Sequence, residues 1–521
     1  MEKTRAQNGR TMNEGSYHAN TANGFEDSSS SVHNLLEQRS LIIASNRGPV
    51  TLRRSENGNV EYQRGSGGLV TALAGVIQHA EARWIACART AEDKAWGKGL
   101  VPLGETEEKV WMQFLTPSDA SYQGYYRVIA NPLLWFLQHS MWNIFREPTI
   151  DQAVWQYWEN GYVAVNMLFA EAIAQQIASV SHPALVMLQD YHLYLVPSLV
   201  RYKFRLKSRF TLVHFVHIPW PGAEDWGLLP AKMRQTILEG LCAVDLLGFQ
   251  TREDALNFIR TCESHLPGAR VNYRKGKVRF RNHTTHIRDF PISIDVHSLR
   301  QFAETEEVNS FREQLLQLHG DWQIILRIDR IDPSKNIVRG FQAFDELLEL
   351  HPEHRGRVKF LALLVPSRLG MNEYESYLDE VMGIAGRINA KYGGNGWEPI
   401  RVLVEENYPR AVAGLQIYDV LLANSIADGM NLVAKEGPIV NCRDGVLVLS
   451  ERTGAYQQLE PGVLVVSPLD IYGTAETMHQ ALTMSREERR ERAERLCSLI
   501  ERQDIVDWLR QQLSAIIKLS L

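Results

Sequence analysis

Short runs of consecutive apolar residues recur along the chain with helical patterns between them, and this alternation constrains the fold more than any other feature. The first set is "SLIIASN" (40–46), "ALVMLQDYH" (184–192), "FTLVHFVHIPW" (210–220) and "VDLLGFQT" (244–251). Apolar residues in unbroken succession mark parallel strands covered on both faces. "YVAVNMLFAEAIAQQIA" (162–178) and "AKMRQTILEGLCA" (231–243) carry helical periodicity between them. After "RDFPISIDVHSL" the pattern restarts with "WQIILRIDR" (322–330), "VKFLALLVP" (358–366), "IRVLVEE" (400–406), "DVLLANS" (419–425) and "GVLVLSE" (445–451). Strands alternating with helices give an α/β class. Two such sets in 521 residues give two Rossmann-like parallel-sheet domains facing a central cleft. The reading divides the chain into 1–37, 38–297 and 298–521. The first segment is rich in Asn, Ser, Gly and Glu and is expected to be a disordered tail.

Composition narrows the partners. A formal net charge of -5 gives no support to a nucleic acid or an anionic membrane. No apolar run approaches the ~20 residues of a membrane span, and the N-terminus has no apolar signal core. The five cysteines show no CxxC pair, so neither a disulfide framework nor a structural zinc is expected of them, and reduced thiols fit a cytoplasmic chain. The charged helix from residue 486 onward reads as a solvated face and receives no binding role. Oligomeric state is left open, a homo-oligomer included.

In parallel sheets, ligands bind beyond the carboxyl ends of the strands. The first strand ends in "SNRGPV", followed by "RGSGGLVTALAGV", where Gly65, Gly67 and Gly68 precede a helix. Such a turn is more often only a turn, but Arg47 beside it favours an anion. The match is not GxGxxG, so a dinucleotide fingerprint is not supported. Asp190 and His192 end the next strand, and His217 with Trp220 the one after. In the second half, Arg330 and Lys335 follow one strand and could clamp a diphosphate. "NSIADGMNLVAKEG" (424–437) follows another: Asp428 and Asn431 suit a cap, Gly429 permits close approach, and the helix N-terminus offers amides to an anion.

Taken together, "SNR", "GGLVTAL", "YYRVIANPLLW", "QDYHLYLVP", "HIPWP", "DLLGFQT", "PSKN", "PSR" and "ADGMNLVAKE" resemble, in this order, the trehalose-6-phosphate synthases, retaining glycosyltransferases of the GT-B type. The resemblance runs from about Leu41 to the C-terminal helix. It implies that Arg330 and Lys335 hold the diphosphate of a nucleotide-sugar donor. It implies that Asp428, Gly429, Met430 and Asn431 hold the donor sugar, that Leu432 and Val433 offer amides to the diphosphate, and that Glu436 holds the ribose. Gly67 and Gly68 match the loop that closes on the donor, and His217 the histidine that touches the donor sugar. On the acceptor side, Arg47, Trp84, Tyr126, Trp135 and Arg368 match the residues gripping glucose 6-phosphate, and Asp190 an acceptor-contacting aspartate. The implied activity is transfer of glucose from a nucleotide diphosphate, UDP-glucose foremost, to glucose 6-phosphate, giving trehalose 6-phosphate. The implied chemistry is front-face, with the leaving phosphate taking the acceptor's proton; it calls for no metal, no cofactor and no covalent nucleophile. Asp190 is a proton-relay or orienting candidate.

The chain also departs from the family pattern. "IDPSKN" replaces the usual "L-D-Y-S-K-G", putting Pro333 and Asn336 at the Tyr and Gly positions. Ala427 replaces an Arg, and "KEGPIVN" replaces "K-E-Y" with small apolar residues. "HIPWPGAEDW" and "DPSKN" lean toward the pseudo-glycosyltransferases that join cyclitols. Two alternatives therefore stand beside the main reading: the same chemistry on glycerol 3-phosphate or an aminocyclitol phosphate, and a catalytically silent sugar-phosphate sensor.

Overall fold

The computed structural model describes residues 38–55, 57, 59–64, 82–102, 109–204, 209–320, 322–368 and 370–520. The expected tail (1–37) and the glycine loop with Gly67 and Gly68 lie outside these residues.

The first half carries β1 (Ser40–Ala44), β2 (Val50–Arg54), β3 (Val60–Arg64), β4 (Ala82–Cys87), β5 (Lys98–Pro102), β6 (Lys109–Leu115), β7 (Ala184–Gln189), β8 (Phe210–Phe215), β9 (Leu246–Phe249), β10 (Arg270–Asn272), β11 (Lys277–Phe280) and β12 (His283–Asp289). Ten of them form one sheet in the order β10-β11-β12-β9-β8-β7-β1-β4-β6-β5, and β2 pairs with β3 as a separate hairpin. The pairings from β12 across to β6 are parallel, and antiparallel strands finish both edges. The expected strands at 40, 184, 210 and 244 are β1, β7, β8 and β9. Six strands of this sheet, β4, β5, β6, β10, β11 and β12, were not among the expected runs; of these, "ARWIAC" is interrupted by Arg83 and "KVWMQFL" alternates rather than running apolar.

The second half carries β13 (Gln323–Arg330), β14 (Val358–Val365), β15 (Ile400–Val404), β16 (Val420–Ala423), β17 (Val446–Ser450) and β18 (Leu464–Val466). They form a six-stranded sheet in the order β15-β14-β13-β16-β17-β18, every pairing parallel. Numbered within this sheet, that is the doubly wound order 3-2-1-4-5-6.

Both faces of each sheet are covered, which is why the strands read as unbroken apolar runs. All of β1, β7, β16 and β17 is buried. Alternate residues of β1 serve opposite cores: Leu41 and Ile43 join one apolar cluster, Ile42 and Ala44 another. The first of these clusters continues into Ile324 and Leu326 of β13. The last helix, Ile505–Ser520, returns to the first sheet. The Trp508 Nε1 donates to the Phe290 carbonyl at 3.1 Å, and its ring meets Phe215 of β8 edge-on at 5.3 Å.

The topology fixes where a site can form. Strand order reverses between β1 and β7 in the first sheet and between β13 and β16 in the second. Loops leaving the carboxyl ends of those pairs diverge and leave a crevice. Arg47 and Asp190 follow one pair, and Arg330, Lys335 and Asp428 follow the other.

Candidate active site

The second-half side is built on a buried arginine. Arg327, mid-strand in β13 and fully enclosed, donates to Asp329 at 2.8 Å, to the Lys335 carbonyl at 2.7 Å and to Asn424 Oδ1 at 2.6 Å. It ties the end of β13 to the end of β16. The chain then turns through Pro333–Lys335, capped by Asp332, which accepts from the Ser334 amide at 3.0 Å and its hydroxyl at 2.9 Å. Asn336 follows at φ 61°, and its side chain donates to the carbonyls of Asn424 (2.9 Å) and Pro468 (2.6 Å). A left-handed conformation suits glycine and, among other residues, asparagine. Asn336 at the usual glycine position thus preserves the backbone, and Pro333 supplies a fixed φ at the start of the turn. These two departures are conformationally conservative.

The turn aims Lys335 across the switch point. Its Nζ pairs with Asp428 and lies 4.0 Å from Asp329 Oδ1. Burial would raise the Asp428 carboxyl, but Lys335 outweighs it and holds the group below its ordinary value. Ser425 Oγ (3.4 Å) and Asn431 Nδ2 (3.2 Å) complete its shell. Arg330, the exposed last residue of β13, lies over the Trp135 ring at 5.5 Å.

The Asp428–Asn431 turn is wedged between two other backbones. A Cβ on Gly429 would stand 1.9 Å from the His217 carbonyl oxygen, and one on Gly454 would stand 1.9 Å from the Gly429 carbonyl oxygen. Only glycine allows this three-layer contact, which brings the second-half turn against the first-half segment after β8. Asn431, at φ 72°, accepts from the Ala434 amide at 3.1 Å and starts the helix Val433–Val440. Leu432 and Val433 therefore sit at that helix N-terminus. Glu436, in its first turn, is half-buried; burial pushes its carboxyl up to about 7, opposed by the Tyr408 hydroxyl. Lys435 is fully enclosed, donating to the Ile292 carbonyl at 2.8 Å.

The first-half side is an aromatic and cationic wall. Trp135 is nearly enclosed: His139 stacks on it at 4.0 Å, the Arg368 guanidinium lies over it at 4.0 Å, and its Nε1 donates to Asp332 at 3.3 Å. Arg368 in turn pairs with Asp332, so residues from both halves close one knot. Tyr126 stacks on His192 at 5.8 Å and accepts from Arg47 at 3.2 Å. Burial would raise its phenol, yet Arg47, Arg368 and Arg330 together hold it below its usual value. That shift reports a strongly positive field in which Asp332 is already spent on Arg368. An anion would complete it.

Asp190 occupies the end of β7 at φ 71° and accepts from the His217 amide at 3.2 Å. Burial pushes its carboxyl up to about 7, against the amides of Tyr191 and His217 and the charges of Arg330 and Arg368. It is suited to donate as well as accept a hydrogen bond near neutrality.

Two expectations need correction or refinement. Trp84 does not line the cleft. It sits mid-strand in β4 with no exposure, and its Nε1 donates to Ser45 Oγ at 2.8 Å, so its ring belongs to the core beneath the site. The His217 ring nitrogens lie 2.9 Å from Gln189 Oε1 and 3.4 Å from Gln250 Nε2, and burial lowers its pKa to about 3. The imidazole is committed within the first half, and the residue meets the Asp428–Asn431 turn through its carbonyl. The structure brings Arg47, Tyr126, Trp135, Arg368, Arg330, Lys335 and Asp428 around one cleft. It adds three residues that the sequence reading passed over: Asp332, His139 and Tyr191, whose hydroxyl donates to Asn131 at 2.8 Å. The cap signal at Asp332, an Asp before Pro-Ser, was the one available clue.

Comparison with known proteins identifies the family and the fold. The model of Glycosyltransferase family 20 matches residues 39–518. A bifunctional trehalose-6-phosphate synthase/phosphatase of Thermoproteus tenax is 34% identical over 489 residues; the match takes in 90% of this chain, which spans only 62% of that relative. Among solved structures, an E. coli trehalose-6-phosphate structure bound with UDP-2-fluoro glucose superposes with a TM-score of 0.79 at 27% identity, covering 91% of this chain and 98% of that one. A UDP-forming alpha,alpha-trehalose-phosphate synthase of Burkholderia xenovorans in complex with glucose-6-phosphate gives 0.76 at 26% identity, covering 91% and 100%. The two-sheet architecture is thus the GT-B fold of those enzymes. On the family match and the shared fold, the chain belongs to glycosyltransferase family 20.

Proposed function

We propose that the chain transfers glucose from UDP-glucose to glucose 6-phosphate with retained anomeric configuration, giving trehalose 6-phosphate. Residues 298–521 would hold the donor and 38–297 the acceptor. The observation that carries the reading is the meeting of two cationic groups at one cleft: Lys335 and Arg330 above Asp428, and Arg368 with Arg47 around Trp135 and Tyr126. The first pair fits a leaving diphosphate, and its charges offset the negative charge that grows there as the glycosidic bond breaks. The helix starting at Val433 adds its N-terminal amides. The second pair fits the phosphate of the acceptor, and Trp135 offers a face to a sugar ring. Asp428 and Asn431 would read donor hydroxyls, and Glu436 the ribose. Asp190 orients the reacting groups by a hydrogen bond. Holding both substrates in contact removes translational entropy from the barrier, and water is kept from the donor by the apposed halves. Among the described residues no helix is long and apolar enough to cross a membrane. We place the enzyme in the cytoplasm, where its five unpaired cysteines stay reduced.

Arg368→Ala tests the acceptor assignment. Measured on folded protein, because the variant also strands Asp332, it should raise the apparent KM for glucose 6-phosphate by ~10-fold or more beyond any loss on unphosphorylated glucose, since a hydrogen bond to a charged group is worth about 1.5–3 kcal/mol. Equal losses on both acceptors would assign Arg368 to the fold or the donor instead. Preferred use of glycerol 3-phosphate or a cyclitol phosphate by the wild type would replace the acceptor named here.

A further inference from the structure

Far from the cleft, the helix Ile337–Leu350 ends at His351, and a short turn, Pro352–His354, follows. That turn packs against the helix Ile471–Thr483, whose Glu476 and His479 are three residues apart and share a face. His351, Glu353 and His479 each offer a ligand atom within 4.8 Å of the others. The His351 and His479 rings stack at 3.6 Å, only 7° from parallel.

The hydrogen bonds fix what each nitrogen can do. His351 Nε2 lies 2.8 Å from Glu476 Oε1, and its Nδ1 lies 3.6 Å from Glu353 Oε1. A carboxylate only accepts, so Nε2 carries the proton it donates to Glu476. In the neutral ring Nδ1 is then a lone pair facing a second carboxylate. Two acceptors face each other, and a cation belongs between them. His479 Nδ1 lies 2.9 Å from His354 Nε2, and His354 is 5% exposed. With His479 Nδ1 donating and His354 Nε2 accepting, the His479 Nε2 is left as a lone pair. Each candidate ligand ring thus has its far nitrogen anchored, His351 by a carboxylate and His479 by a second imidazole. Metal-binding histidines are oriented in this way.

We propose that His351 Nδ1, Glu353 and His479 Nε2 form a binding site for a divalent transition ion of the zinc class, with Glu476 and His354 orienting the two rings. Two imidazoles and one carboxylate suit zinc, nickel or copper over magnesium or calcium. Zinc–ligand distances are about 2.0–2.2 Å, so the three groups close inward by side-chain rotation when the ion enters, and water fills the remaining position. The ion would cross-link the end of one helix to another. The same two segments are already tied at the cleft end, where Asn336 donates to the Pro468 carbonyl at 2.6 Å. The role is therefore bracing of the second half, with no part in glycosyl transfer.

The test uses the full chain stripped with a chelator and titrated with zinc chloride alone by calorimetry, then with cobalt(II) as a spectroscopic probe. The expected result is one equivalent of zinc bound and a raised melting temperature. Binding should be lost in His351→Gln/His479→Gln and weakened ~10–100-fold in Glu476→Gln, the range seen when an orienting partner is removed. Turnover of these variants should match the wild type. The cobalt spectrum should lack the intense thiolate charge-transfer band, which excludes the cysteines without relying on any variant. No zinc uptake would overturn the proposal. So would uptake that survives the double substitution, or a thiolate band with cobalt.

Discussion

Arg330→Ala and Lys335→Ala should each lower turnover by ~10²-fold or more, the scale of removing one charge partner from a developing anion. Arg330 ends β13 and Lys335 ends the Asp332-capped turn that follows, so both reach the cleft from fixed backbone. Lys335 is the more constrained: its side chain is 13% exposed and pairs with Asp428. Removing it leaves Asp428 without its main counter-charge, so Lys335→Ala should also weaken donor binding. Arg330 is exposed, and its loss should act mainly on turnover. Steady-state kinetics on both variants separates these effects. Near-normal turnover in both would remove the diphosphate clamp from the account.

Asp332→Ala should be among the most destabilising single substitutions in the cleft, by about 3–5 kcal/mol, the cost of stranding one member of a buried ion pair. Asp332 has no exposure, and the Arg368 side chain paired with it is 3% exposed. The same carboxylate accepts from Trp135 across the two halves and from Ser334 within its own turn. Burial alone would raise its pKa, but Arg368 and Arg330 carry it well below the usual carboxylate range. The folded chain therefore binds this proton less readily than the unfolded one. The resulting stability is fully present above about pH 4, the unfolded carboxyl's range, and is lost as pH falls toward the folded value. Denaturant midpoints of wild type and Asp332→Ala should differ most near neutrality and converge in acid. Asp332→Ala/Arg368→Met, which removes both charges, should recover part of the loss. A single variant as stable as the wild type would show that the knot is not a fastening between the halves.

Much of this was legible because burial on both faces writes itself into sequence. β1, β7, β16 and β17 are nearly unbroken apolar runs, β13 and β14 are apolar runs interrupted by Arg327 and Asp329 and by Lys359, and polar residues directly after them mark the strand ends. Strands with weaker runs, such as β4, left no such trace; Trp84 was placed in the cleft by the resemblance alone, and with no strand assigned around it nothing in the sequence showed its depth. The DGMN turn showed its glycine, but the reason for it, the His217 carbonyl, comes from a segment more than two hundred residues away in the chain. The same holds for the pairing of Arg368 with Asp332, and for His351 with Glu476, contacts that no local pattern encodes. Conversely, Asn336 looked like a departure and proves compatible once its φ of 61° is known.

The most direct test of the central claim is the product. The purified chain should be incubated with glucose 6-phosphate and, separately, UDP-, GDP- and ADP-glucose, with products identified by mass and anomeric linkage by NMR. The account predicts a phosphorylated disaccharide formed fastest from UDP-glucose, joined through both anomeric carbons with the donor's α configuration retained. Inversion of that configuration, or no disaccharide from glucose 6-phosphate with any of the three donors, would contradict it.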